Sequence, residues 1–190
     1  MPYDNKLGMT YDSGTYEAAM DQCFGISDLD GFAARKADSA KRSLKRGLGI
    51  SAYMETSTGA PRERTEMTVR PDGEIDVIIG TLSAGQGHET SFAQLLTEWL
   101  DVPIDCVNLI TGDTDIVSVG GGTHSGRSMR LAGVVMGMAT DIIIEKGQRI
   151  AGHVLEASEN DIEFANGRFG IAGTDRSLDI FEIAKAAMER

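Results

Sequence analysis

Two glycine-rich stretches hold the residues best suited to chemistry: Gly85-Gln86-Gly87-His88-Glu89-Thr90 and Gly120-Gly121-Gly122-Thr123-His124-Ser125-Gly126-Arg127-Ser128. Each follows an apolar, strand-like run and precedes a helical pattern. Such a turn leaves backbone N–H groups unpaired at the start of a helix, where they can bind an anion. Two such loops in one short chain point to a large, phosphate-bearing ligand rather than a single phosphate.

In the first loop, Gly85 and Gly87 let the backbone turn tightly and approach a ligand closely. Gln86 lies between them with one amide donor and one carbonyl acceptor, so it can bond an oxo group or a heterocycle edge without adding charge. His88 can donate to a phosphate or titrate near neutrality. Glu89 and Thr90 stand where a helix is capped. The same residues also read as a plain strand–turn–helix connection. In the second loop, Asp113 and Asp115 flank Thr114, but the spacing does not continue into a calcium pattern, so turn-forming side chains are expected. Thr123, Ser125, Arg127 and Ser128 then offer hydroxyls and a guanidinium, and arginine can hold a pyrophosphate through two parallel hydrogen bonds. A flexible loop with a helix cap is the other reading. Three consecutive glycines lower stability and need a reason to be there.

The elements that must position these loops are legible from periodicity. Tyr16–Phe24 reads as a helix capped by Thr15, and Asp28 or Asp30 opens a second helix ended by Gly47. Its basic run, Arg35 to Arg46, reads as a solvated face. Strands are predicted over 48–56, 63–70, 74–82 and 104–110, with a hairpin turn at Pro71-Asp72-Gly73. Thr90–Leu100 is a helix stopped by Asp101-Val102-Pro103. A long, almost fully buried helix runs from Arg127 to about Val154, broken at Gly147 or Gly152, with Met136 and Met138 as core filler. A hairpin spans 161–171, with Asn166-Gly167 at a type I′ turn. An amphipathic helix, capped by Ser177 or Asp179, follows. Hairpins mixed with helices give an α+β class, with an antiparallel or mixed sheet packed by helices. The expected organisation is a helical lead-in over 1–46 and an α+β core over 47–190.

Bulk properties narrow the function. The chain has 190 residues, 41% apolar and 25% charged, with a net charge of −11. So acidic a surface argues against nonspecific nucleic-acid binding. No apolar run approaches the roughly 18 residues of a membrane span. The opening Met1-Pro2-Tyr3-Asp4 lacks the pattern of a signal peptide, so a cytoplasmic setting is expected. Cys23 and Cys106 sit among apolar neighbours and read as small buried hydrophobes. The three histidines, His88, His124 and His153, are widely spaced, so no protein-ligated metal is expected.

At the two loops the chain resembles the molybdenum-cofactor-binding large subunit of the xanthine oxidase, aldehyde oxidoreductase and aerobic carbon monoxide dehydrogenase family. Gly85-Gln86-Gly87-His88-Glu89-Thr90 looks like that family's Gly-Gln-Gly segment. Gly112-Asp113-Thr114-Asp115, with Gly122-Thr123 and Arg127-Ser128, looks like its second cofactor segment. The openings Asn5-Lys6-Leu7-Gly8 and Tyr11-Asp12-Ser13-Gly14, and later Arg46-Gly47-Leu48-Gly49, match the family's style. His124-Ser125-Gly126 departs from it.

The resemblance implies that Gln86 lies beside the molybdenum, as a catalytic residue bonded to one of its oxygen ligands. Gly85, Gly87 and His88 would line the same pocket. Thr123, Gly126, Arg127 and Ser128 would hold the pterin and its pyrophosphate, in molybdopterin or molybdopterin cytosine dinucleotide. The metal would be held by pterin sulfurs rather than by protein. The resemblance also implies FAD-binding and 2Fe-2S partner subunits in a hetero-oligomer. The substrate would be a small molecule: an aldehyde, an N-heterocycle or carbon monoxide. The substrate loop and the catalytic glutamate are expected outside these residues, since Glu89 and Glu98 lack the Gly-Glu context. The chain is therefore expected to be a fragment of the large subunit, inactive alone. A second reading, of another class, is a non-catalytic nucleotide-binding or subunit-assembly module. A stand-alone phosphoryl-transfer enzyme is disfavoured, because no Gly-x-x-x-x-Gly-Lys-Ser/Thr loop exists.

Overall fold

The computed structural model describes residues 2–54 and 62–189. The chain divides into two units, Met1–Met54 and Glu55–Arg190. In the first unit, β1 (Tyr3–Asp4) and β2 (Thr10–Tyr11) pair antiparallel, followed by α1 (Tyr16–Ile26) and α2 (Phe32–Lys41). Several expectations change here. Thr15 precedes α1 but its side chain makes no cap. Gly31 precedes α2, which stops at Lys41 rather than Gly47. Asp28 instead accepts from the Gly31 N–H at 3.2 Å. No residue of α1 is buried, so Cys23 is exposed rather than packed in a core. The strand predicted over 48–56 is absent over 48–54, and its last two residues lie outside the described ones.

The second unit is built on a three-stranded sheet in the order β3-β4-β5, with β3 (Thr65–Val69), β4 (Ile75–Ile79) and β5 (Val107–Ile110). β3 and β4 form the hairpin, with Met67 opposite Val77. The Arg70 N–H donates to the Glu74 carbonyl at 2.8 Å across the predicted turn. β4 and β5 run parallel, with Val77 opposite Leu109. A parallel pair needs a crossover, and α3 (His88–Leu100) supplies it. The start of the strand predicted at 104 is instead a single helical turn, Ile104–Cys106. Asp101 ends α3 in the left-handed conformation, at φ 50°.

Ser128–Ala132 is π-helical and leads directly into α4 (Gly133–Val154). β6 (Ile162–Ala165), β7 (Arg168–Ile171) and β8 (Ser177–Asp179) form an antiparallel meander, and α5 (Ile180–Met188) closes the unit. Asn166 and Gly167 both have positive φ, 50° and 69°, as a type I′ turn requires. Asp179 caps α5 in a full capping box with Glu182.

The core follows from these patterns. Ile75, Val77 and Ile79 share one face of β4 and are fully buried. Phe92, Leu96 and Leu100 of α3 and Met136 of α4 join them, as do Phe169, Ile180 and Ile183 from the C-terminal elements. α4 is only half buried, contrary to expectation: Val134, Met138 and Ile142 lie on an exposed stripe, so Met138 fills no core. It is also unbroken. Gly147 lies inside it because a Cβ there would meet the Phe169 ring at 2.2 Å. The class is α+β with a mixed sheet, as predicted.

Candidate functional site

Both glycine loops follow strands of the β3-β4-β5 sheet, the first after the central strand β4 and the second after the edge strand β5, which runs parallel to it. β4 ends at Ile79, and the chain passes through Gly80, Thr81 and Leu82 before turning at Gly85 and Gly87 into α3. Gly85 has φ 108° and Gly87 φ 73°, both in the region that favours glycine. A Cβ on either would meet nothing within 4 Å. No side chain caps the N-terminus of α3, although the Gly87 carbonyl accepts from the Thr90 and Ser91 N–H groups, so the end of positive dipole character has no side-chain partner. Gln86 is exposed, and its Oε1 accepts from the Ala84 N–H at 2.6 Å. That bond orients the side-chain amide and makes its NH2 the donor end.

His88 is buried. Its ring stacks on Phe92 with centroids 4.6 Å apart. Nδ1 lies 3.3 Å from the Thr81 carbonyl, which can only accept, so Nδ1 carries the hydrogen. This imidazole braces the turn against α3. The exposed phosphate donor expected from sequence is not what the ring presents.

The second loop meets the first. The Thr123 hydroxyl donates to the Leu82 carbonyl, and the Ser128 hydroxyl donates to Thr123 Oγ1 at 3.2 Å. Gly80 and Gly120 face each other without side chains: a Cβ on Gly120 would lie 2.5 Å from the Gly80 Cα. A Cβ on Gly121 would lie 2.5 Å from the Arg127 Cζ, and Gly122 sits at φ 70°. The glycine run thus has three separate causes: loop contact at Gly120, room for the guanidinium at Gly121, and backbone conformation at Gly122. Asp113 and Asp115 form the expected turn, with the Asp115 N–H donating to Asp113 Oδ1 at 2.9 Å.

Arg127 is placed differently from expectation. Its side chain is 0% exposed and its ion-pair partner, Glu63, is 1% exposed, at 2.8 Å. The guanidinium also donates to the Gly122 carbonyl and, at 2.8 Å, to the Arg62 carbonyl. A guanidinium so enclosed has no surface to offer a pyrophosphate. Opening the pair would leave a carboxylate buried without its cation. The eight sequence candidates therefore separate by exposure. Gly85, Gln86 and Gly126 are exposed and Gly87 is half-buried, whereas His88, Arg127 and Ser128 are buried and Thr123 is half-buried and bonded into the loop.

Glu63 is the residue that sequence reading missed. The signal was present: 63, 65, 67 and 69 are the inward positions of β3 and its approach, and Glu63 is the one charged residue among them. Its Oε1 accepts from the Gly80 N–H at 3.2 Å, and Oε2 accepts from the Gly121 N–H at 3.4 Å. Among the described residues, no group of three His, Cys, Asp or Glu is arranged to hold a metal ion. No described helix is long and apolar enough to cross a membrane.

Two glycine loops thus meet beside the start of α3, joined by the Thr123–Leu82 hydrogen bond and the Gly80–Gly120 contact. The model of the molybdopterin cofactor-binding domain matches residues 22–190, and the chain belongs to that family. It is 34% identical over 189 residues to the carbon monoxide dehydrogenase large chain of Afipia carboxidovorans, covering 90% of this chain and 23% of that one. The large chain of the same enzyme from Hydrogenophaga pseudoflava is 31% identical, with 92% and 23% covered. A crystal structure of the Cu,Mo-CO dehydrogenase in its carbon monoxide reduced state superposes with a TM-score of 0.67 at 32% identity. That match covers 98% of this chain and 26% of that one. The chain thus spans about a quarter of the length of the relatives it matches.

Proposed function

We propose that this chain is the segment of a molybdenum hydroxylase large subunit that grips molybdopterin, or its cytosine dinucleotide, between the 80–88 turn and the 120–128 loop. The residues present fit such a group. Gly85 and Gly87 leave open space where a side chain would intrude, the α3 N-terminus lacks a side-chain cap, and Gln86 offers a neutral amide. A protein of net charge −11 can hold an anion here through aimed amides, which add no titratable cation. When bound, the molybdenum cofactor supplies the redox chemistry and the oxygen given to the substrate. The protein's part is to hold and orient. Gln86 would help hold the group through its amide NH2, the end left free by the bond from Ala84. Gly85, Gly87 and Gly126 give the close backbone approach. The His88 and Ser128 backbones border the ligand while their side chains brace the loops. Thr123 and Arg127 fix the loop that contacts the pterin and its pyrophosphate.

The holoenzyme of this reading oxidises carbon monoxide, an aldehyde or an N-heterocycle in the cytoplasm. It passes electrons to iron–sulfur and FAD-binding subunits of a hetero-oligomer. The observation that carries the reading is the clasp itself: the Thr123–Leu82 hydrogen bond and the Gly80–Gly120 contact, within the matched residues. The test is molybdenum and pterin analysis of the purified native complex, followed by a screen of these substrates with an artificial electron acceptor. Stoichiometric molybdenum and pterin with turnover of one class is expected. A complex lacking both ends the reading.

A further inference from the structure

We propose that Glu63 is a positioning residue of the cofactor site: one buried carboxylate just before β3 sets the spacing of both cofactor loops. The inference rests on the function proposed above. Glu63 reaches the first loop at the Gly80 N–H, 3.2 Å away. It reaches the second at the Gly121 N–H, 3.4 Å away, and at Arg127, 2.8 Å away. Arg127 returns the connection to the Arg62 carbonyl, beside Glu63 itself, and holds the Gly122 carbonyl. The result is a hydrogen-bond network centred on Glu63 that joins three separate segments of the chain.

A buried ion pair contributes little to stability on average, because desolvation offsets the attraction. Here its partners are the reason for its place. Both carboxylate oxygens are engaged by the two loops, and no shorter or neutral side chain reproduces all three contacts. Glutamine in its place turns an NH2 towards N–H donors. Aspartate keeps the charge but falls a methylene short. Glu63 makes no contact with the reacting groups; it acts through the loops, as outer partners do around metal ligands.

The test is carried out on the native complex with Glu63→Gln and Glu63→Asp in the large subunit. Retained molybdopterin in the folded fraction is measured after prolonged dialysis. Glu63→Gln is expected to lower it roughly ten- to a hundredfold, the range for lost outer partners. Glu63→Asp is expected to fall between Glu63→Gln and wild type. A folded fraction that keeps wild-type pterin in Glu63→Gln overturns the proposal and leaves Glu63 a purely structural role. Where Glu63→Gln does not assemble, Glu63→Asp decides: intermediate retention supports the proposal and wild-type retention overturns it. A wild-type complex without pterin defeats the proposed function instead. Limited proteolysis then decides Glu63: faster cleavage within 82–87 and 120–126 in Glu63→Asp supports it, and unchanged cleavage overturns it.

Discussion

Gly80 and Gly120 occupy each other's side-chain space. A Cβ built on Gly80 would lie 2.2 Å from the Gly120 Cα, so the neighbour is backbone that cannot swing away. Gly120→Ala in the large subunit is therefore expected to cost about 1–3 kcal/mol, as overpacking does. It is also expected to part the two loops. Thermal unfolding of the complex shows the first effect and pterin content the second. An alanine variant with both unchanged would show that the loops do not need this contact.

Arg127→Ala is expected to act as a stability variant before it acts as a binding variant. It leaves the Glu63 carboxylate buried without its cation, and such breaks cost roughly 3–5 kcal/mol. The expected readout is a large fall in the unfolding midpoint, with pterin lost alongside. Pterin loss at an unchanged midpoint would instead restore the direct pyrophosphate contact.

Gln86 offers the contrasting case. It is exposed, and among the described residues its side chain is hydrogen-bonded by the Ala84 N–H of its own turn. Gln86→Ala is expected to leave folding and pterin content as they are and to lower kcat by roughly a hundredfold, the scale for losing one aimed hydrogen-bond donor. Steady-state kinetics at full molybdenum loading check this. A wild-type kcat would remove Gln86 from the chemistry.

The cysteines differ in reactivity for a physical reason. Cys23 is exposed, whereas burial pushes the half-buried Cys106 thiol above its usual range. The thiolate is the reactive form, so raising the pKa lowers its share at any given pH. Alkylation at mildly alkaline pH is expected to label Cys23 first, with Cys106 following only as the pH rises. Mass spectrometry of partly labelled protein reads the order. Equal labelling would contradict it.

Local rules carried the sequence reading a long way. Pro71-Asp72-Gly73, Asn166-Gly167 and Asp179 each specify a turn or a cap within a few residues, and each is found where expected. The two loops were legible because a glycine turn between a strand and a helix is a local feature as well, whereas the capping expected of Glu89 and Thr90 is not found. Burial was harder to read. Val134, Met138 and Ile142 have the spacing of a helix face, but periodicity does not say which face the core covers. The burial of Arg127 was not legible because its partner lies 64 residues earlier, and spacing along the chain carries no trace of that pairing. Glu63 was overlooked for the complementary reason. Charged residues are rarely fully buried, and only the alternation along β3 hinted that this one points inward.

The Glu63–Arg127 bond also fixes an order in time. A ribosome releasing this chain must extend it well beyond β3 before Arg127 exists to be met, and contacts so remote in sequence form late in folding. Until then the Glu63 carboxylate lacks the cation that its burial requires. The join between the two loops and β3's approach is therefore completed only once the chain has been made through Arg127.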